Sequence, residues 1–265
     1  MYCSATLNYS KGFEDIQAVR VDIDDGRHHP ELTWEENGFQ LFEHDSNVRD
    51  WSSEKEIEQK YYSEMEALAK TLSGCDVALI GGHILRNPES AAAHMDYAPI
   101  QYVHSDFTES YGDLLRSRYQ RSEPAAAEAL KRAGIDARVI SKASRILVLQ
   151  FWRNVGPSVM DLPIAFCDAQ SVPREDVFPI HVPNYADSGE PFDTFGVVCG
   201  VKGQHAWYTF PEMRANEVVA FRTYDSACVE FGQPFWTPHS AFLDPINQGA
   251  PPRYSIEVRS TCVYR

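Results

Sequence analysis

The chain has 265 residues, 43% hydrophobic and 12% aromatic, enough to fill the core of one large β-rich domain. Its 24 Lys and Arg against 38 Asp and Glu give a net charge of −14, so a phosphate backbone is repelled and nucleic acid is not an expected partner. No run of about 18 apolar residues is present to span a membrane, residues 1–11 lack a secretory pattern, and the six cysteines form no CxxC pair, as expected of a reduced cytoplasmic protein.

In chain order, acidic and Tyr-containing segments come first. A helix is predicted over 53–72, where Ile57, Tyr61, Tyr62, Met65, Leu68 and Leu72 recur at helical spacing, Ser52 or Ser53 caps the start and Gly74 stops it. Residues 75–81 read as a short buried strand, 100–107 as a strand, 107–121 as a loop, and 123–132 as a helix that begins at Pro124 and ends at Gly134. Strand-like runs follow at 145–153, 164–168, 195–201, 205–210, 217–224, 235–242 and 253–264, with exposed loops at 187–191 and 245–252. The expected architecture is mainly β with flanking helices: one domain, a mixed α/β flank over 1–99 and a jelly-roll core over 100–265 with a helical insertion near 123–134.

Chemistry concentrates in His104-Ser105-Asp106. Side chains alternate along a strand, so His104 and Asp106 project from one face and can share one ion. Two imidazoles and a carboxylate are the set that holds Fe(II) on one triangular face and leaves other positions open. His94-Met95-Asp96 has the same spacing but lies in a loop-like stretch before Pro99, where ligands are less firmly positioned. Spacing alone leaves both pairs open. For the third ligand, His239 in the penultimate strand is preferred, with His205 as rival.

Arg253-Tyr254-Ser255 follows His239. Arg253 and Ser255 share a face and offer a two-pronged cation and a hydroxyl to one carboxylate, as the distal end of 2-oxoglutarate requires. Alone, such a pair is an ordinary half-exposed feature; its position after a candidate metal histidine gives it meaning. Arg259 falls on the same face, available to substrate, cosubstrate or a neighbouring acid.

A wider set of residues resembles a known family. It comprises Trp152-Arg153, Asp161-Leu162-Pro163, Asp168 with Ser171 and Val172, the segment from His205-Ala206-Trp207-Tyr208 to Pro211-Glu212-Met213, Glu217, Phe221, Tyr224-Asp225-Ser226, and His239 to Phe242 running into Arg253 to Arg259. Together these look like the asaB-type hydroxylase/desaturase family, related to the small subunit of the cephem 7α-methoxylase system. The resemblance runs from about Gly38 to the C-terminus and favours His104 and Asp106 over the His94 pair. Asn154 stands where the family usually has proline after Trp-Arg.

The resemblance implies a cupin-like double-stranded β-helix and a non-haem Fe(II), 2-oxoglutarate and O2-dependent dioxygenase of secondary metabolism that hydroxylates, desaturates or cyclises a small molecule. On this reading His104, Asp106 and His239 bind the metal, Arg253 and Ser255 bind 2-oxoglutarate, and Tyr102, Trp152, Arg153, Trp207 and Arg259 are candidates for the substrate wall. A homodimer is compatible with it. Two other classes stay open: a metal-dependent hydrolase using the same triad, and a partner-assisting β-sandwich without catalysis.

Overall fold

Alternation of side chains and long β-branched runs produce two sheets in a computed structural model that describes residues 1–10, 12, 15–186, 191–201 and 203–265. The strands are β1 (Cys3–Ser10), β2 (Ile16–Asp25), β3 (Phe39–Glu43), β4 (Val77–Arg86), β5 (His104–Ser105), β6 (Arg145–Asn154) and β7 (Ile164–Cys167). They continue with β8 (Val177–Val182), β9 (Phe192–Val197), β10 (Trp207–Thr209), β11 (Glu217–Asp225), β12 (His239–Ala241) and β13 (Ser255–Tyr264). Eight form one sheet in the order β1-β2-β10-β7-β12-β5-β9-β8, and five form the other in the order β3-β11-β6-β13-β4. The larger sheet curls, so that the Val103 N–H donates to the Asn8 carbonyl of β1 at 2.7 Å. This is the curled two-sheet jelly roll, and strands from before residue 100 take places in both sheets.

The smaller sheet follows from sequence most directly. β6 is buried along almost its whole length, as befits a central strand paired with both β11 and β13. Leu147, Leu149 and Phe151 on one face pack with Val218, Ala220, Ile256, Val258 and Cys262 against Tyr62, Met65 and Ala69 of the helix Tyr62–Ser73. That helix continues a helical stretch from Glu54: the Ser53 hydroxyl caps the Glu56 N–H at 3.3 Å, and Gly74 closes it at φ 66°. On the other face Trp152, Val219 and Phe221 meet Phe39, Phe166 and Phe210 between the sheets.

Several expected boundaries move. The strand expected at 75–81 runs on to Arg86, through a bulge in which Gly81 and Gly82 stand opposite one residue of β13. The strands expected over 100–107 and 235–242 shrink to His104–Ser105 and His239–Ala241, because flanking residues spend their polar groups on side chains and distant carbonyls. The loop expected over 107–121 contains the helix Tyr111–Gln120, whose Tyr111, Leu115 and Tyr119 are buried. β1, β2, β3 and β8 were not anticipated. The helix Pro124–Ala133 lies where expected, with Pro124 in its first turn and Gly134 at φ 65° behind it. Of the loop expected at 187–191, all but Pro191 lies outside the described residues.

Candidate metal centre

β5 and β12 pair antiparallel with His104 directly opposite His239, and this single register sets the site. The two ring centroids are 4.3 Å apart. Asp106 follows two residues after His104, and its Oδ1 lies 3.6 Å from His104 Nε2 and 3.5 Å from His239 Nε2. Donor atoms of all three side chains fall within 4.8 Å of one another, and all three residues are buried. This is the one such cluster among the described residues.

Backbone and packing aim these side chains. His104 Nδ1 donates to the Tyr102 carbonyl at 2.9 Å and His239 Nδ1 to the Thr237 carbonyl at 3.0 Å, which leaves both Nε2 lone pairs facing inward. Thr237 is itself fixed: its N–H donates to Ser105 Oγ and its hydroxyl to the Arg222 carbonyl at 2.7 Å. Gly38, at φ 94°, lies against Thr237 so closely that a Cβ there would overlap its hydroxyl. The His239 ring packs edge-on to Phe221 at 5.0 Å, near Phe166.

Electrostatics favour the protonation states a cation requires. Burial, reinforced by His239, pushes His104 down to about 3, so its imidazole is neutral. Burial alone would raise Asp106, but Arg259, His239 and His104 outweigh it and hold the carboxyl at about 2. The neutral His104 imidazole and the ionised Asp106 carboxylate, with His239 as second nitrogen donor, suit a divalent first-row metal with open positions, and the residues fit Fe(II).

Facing this cluster, β13 and β6 present Ser255, Glu257, Arg259, Gln150 and Trp152 on one side, as their register requires. Arg253, 4% exposed, stacks on Trp152 at 5.6 Å and donates from Nη1 to the Leu162 carbonyl at 3.1 Å. Burial lowers its guanidinium to about 10, still protonated at neutral pH. Its Nε has no partner, nor have Ser255 Oγ, Trp152 Nε1 and Gln150 Oε1, all in buried residues. Three of these atoms lie on β6 and β13 and the fourth just before β13; buried polar groups normally find partners, and one polar ligand could reach all four. Arg253 and Ser255 thus fit an anionic cosubstrate.

The other expected site residues separate. Tyr102 lies against the cluster, its ring 5.2 Å from that of His104. Arg259 reaches Asp106 Oδ2 through Nε at 3.2 Å and Nη2 at 3.0 Å. Arg153 is corrected: it occupies the opposite face of β6 from Trp152, where it bonds Tyr61, His44 and the Ala215 carbonyl and stacks on Tyr61, so it is no part of a substrate wall. Trp207 is corrected too. It pairs with Cys167, while neighbouring Phe166 faces His239, so its indole points away from the cluster and donates to Tyr9 Oη at 2.9 Å.

The rival histidines have other work. His205 engages Tyr9 Oη at 3.1 Å and Asp176 Oδ2 at 3.0 Å, one partner for each ring nitrogen. At the second His-x-Asp pair, Asp96 Oδ2 accepts from the Ala186 N–H at 2.7 Å and its carbonyl from Arg86 at 2.8 Å, which pins a loop. Sequence reasoning missed Glu257, which pairs with Arg86 at 2.7 Å and accepts from Gln150 at 3.3 Å. Alternation between Ser255 and Arg259 already placed it on the inner face.

A family model described as "Oxidoreductase/YMDC permease-like domain" matches residues 4–263. The chain is 26% identical over 260 residues, covering 97% of itself and 88% of the relative, to "Alpha-ketoglutarate-dependent dioxygenase phiK" of Fungal sp. (strain ATCC 74256). It is also 26% identical over 250 residues, 86% of itself and 78% of the relative, to "Hydroxylase/desaturase efuI" of Hormonema carpetanum, in line with the hydroxylase/desaturase resemblance. Among solved structures it superposes on "iron and alpha-ketoglutarate-dependent endoperoxidase NvfI with different conformation" with a TM-score of 0.77 and 21% identity over 99% of this chain and 97% of the other, a shared fold. No helix among the described residues is long and apolar enough to cross a membrane.

Proposed function

The chain belongs to the Oxidoreductase/YMDC permease-like domain family, and from that premise we propose that it is an Fe(II)- and 2-oxoglutarate-dependent oxygenase acting on a small molecule of secondary metabolism. One observation carries the reading: a His/Asp/His cluster with inward Nε2 atoms faces β13 and the residues just before it, where Arg253 Nε and Ser255 Oγ are buried without a hydrogen-bond partner. His104, Asp106 and His239 hold the metal. When bound, Fe(II) supplies oxygen activation coupled to oxidation of 2-oxoglutarate to succinate and CO2.

The chain's own residues do the rest. Arg253 and Ser255 donate to the distal carboxylate of 2-oxoglutarate, and the contact of Arg253 with the Trp152 ring restrains the guanidinium. Phe166 and Phe221 exclude water beside His239. Tyr102 and Trp152 line the substrate side. Hydroxylation, desaturation and ring closure all use this arrangement, and the substrate's shape against the wall selects among them. The six cysteines are free thiols, as suits a cytoplasmic enzyme. Nucleic acid is not a partner on this reading, since the net charge is −14. A homodimer is part of the reading, to be checked by light scattering.

Anaerobic addition of Fe(II) and then 2-oxoglutarate tests the reading. A weak visible absorption band should appear with 2-oxoglutarate, and succinate should form once oxygen and a substrate are admitted. No band and no succinate, with hydrolysis of an ester or amide instead, would sink the proposal in favour of a hydrolase.

A further inference from the structure

We propose that Arg259 is a positioning residue that forces Asp106 to present a single oxygen to the metal, and that it does not contact substrate. This rests on the metal-centre reading above. The Asp106 carboxylate is divided: Oδ1 faces the two histidine Nε2 atoms at 3.6 and 3.5 Å, while Oδ2 takes the Arg259 Nε and Nη2 at 3.2 and 3.0 Å. A carboxylate free to rotate can offer both oxygens and occupy a further coordination position. The chemistry proposed here needs the positions opposite the facial triad open. Two donors from one planar guanidinium on one oxygen fix the rotation, which a lysine point charge cannot do.

The fold is shaped to deliver this contact. Arg259 is the β13 residue facing the bulge at Gly81 and Gly82: Val258 pairs with His83 and Ser260 with Ile80. The bulge lies in β4, so it bends that strand and leaves the β13 ladder to β6 regular at Arg259. Across the other edge Arg259 pairs regularly with Gln150, and its guanidinium lies 5.6 Å over the Phe107 ring, next in sequence to Asp106. Aromatic face, strand and carboxylate hold it in one orientation.

Co(II) binding to metal-free protein, followed by its visible absorption, reads the role without turnover. Outer partners of metal ligands contribute about 10–100-fold in metal affinity. R259Q should therefore weaken Co(II) binding by about 10–100-fold, with R259K between it and wild type, while the KM for 2-oxoglutarate at saturating Fe(II) stays at the wild-type value. The thermal midpoint of metal-free protein reports whether each variant folds, and R259K serves if R259Q does not. Unchanged Co(II) affinity in a folded R259K together with a raised KM for 2-oxoglutarate or substrate overturns the assignment. Equal Co(II) binding by wild type and H104A removes the metal-centre reading itself, a different result from any change confined to the Arg259 variants.

Discussion

The two sheets contribute to the site in opposite ways. The five-stranded sheet offers β6 and β13, ten residues each and paired along their full length, as a stiff wall. The eight-stranded sheet offers the two histidine donors from β5 and β12, two and three residues long, which meet at this one pair, with Asp106 just after β5. A long ladder fixes many side chains approximately. A short one fixes few, and here the precision comes from individual contacts: two backbone carbonyls, the Ser105 and Thr237 hydroxyls, and a guanidinium reaching across from the other sheet. Donor geometry should therefore respond sharply to single substitutions that leave the fold standing, whereas the wall should respond chiefly through stability.

The strongest test of that contrast is removal of a donor. H104A or H239A should lower Co(II) affinity by more than about 100-fold, beyond the cost of losing an outer partner, and abolish succinate formation, with a thermal midpoint close to wild type. Metal uptake at wild-type affinity by either variant breaks the assignment of the short strands. On the wall, F151A faces the helix rather than the site, and burial at 0% exposure predicts a loss of about 3–5 kcal/mol in urea unfolding. Co(II) affinity of the folded fraction should not change, and a change would show that the two faces of β6 are not independent.

R253M lies between these cases. It removes one charged donor pair, so the KM for 2-oxoglutarate should rise by a factor corresponding to about 1.5–3 kcal/mol, with Co(II) binding retained; a KM unaffected by the change would move the cosubstrate elsewhere. The smallest effect expected concerns the link between the sheets. Glu217 of β11 accepts two bonds from Arg27, just after β2, at 2.7 and 2.8 Å. Burial opposes its ionisation, yet Arg27 and Arg214 lower it from 4.5 to about 2. The folded carboxyl is the stronger acid, so its stabilising contribution is complete above about 4.5 and is lost as pH falls through about 2. E217Q should flatten the rise of stability with pH in that window, measured by urea unfolding at several pH values; an unchanged slope would assign the link to other contacts.

Legibility in the sequence follows the same division. β6 announces itself by a near-continuous apolar run, and β11 and β13 by their β-branched and aromatic residues. β2 was missed although Val19, Val21 and Ile23 alternate with charged residues, and most of its side chains are at least partly exposed. Around β5 and β12 the sequence reading extends strands too far, because hydrophobic content there fills the core without laddering. The cluster itself was readable from a two-residue step and a histidine before the last strand. Arg153 was misplaced although alternation within β6 separates it from Trp152. The work of Arg259 was not readable, since its carboxylate lies 153 residues away on the other sheet.

Each histidine at the cluster takes its orientation from the carbonyl two positions earlier, Tyr102 for His104 and Thr237 for His239. The hydrogen bond that points each nitrogen inward is thus contained within a single tripeptide. Within the span between the two tripeptides, the segment that holds the helices Tyr111–Gln120 and Pro124–Ala133 supplies neither carbonyl, whereas Phe166, Phe221 and the Arg222 carbonyl back the second tripeptide. A chimaera that exchanges only those two helices for a relative's should therefore keep both rings turned inward, which Co(II) binding would report.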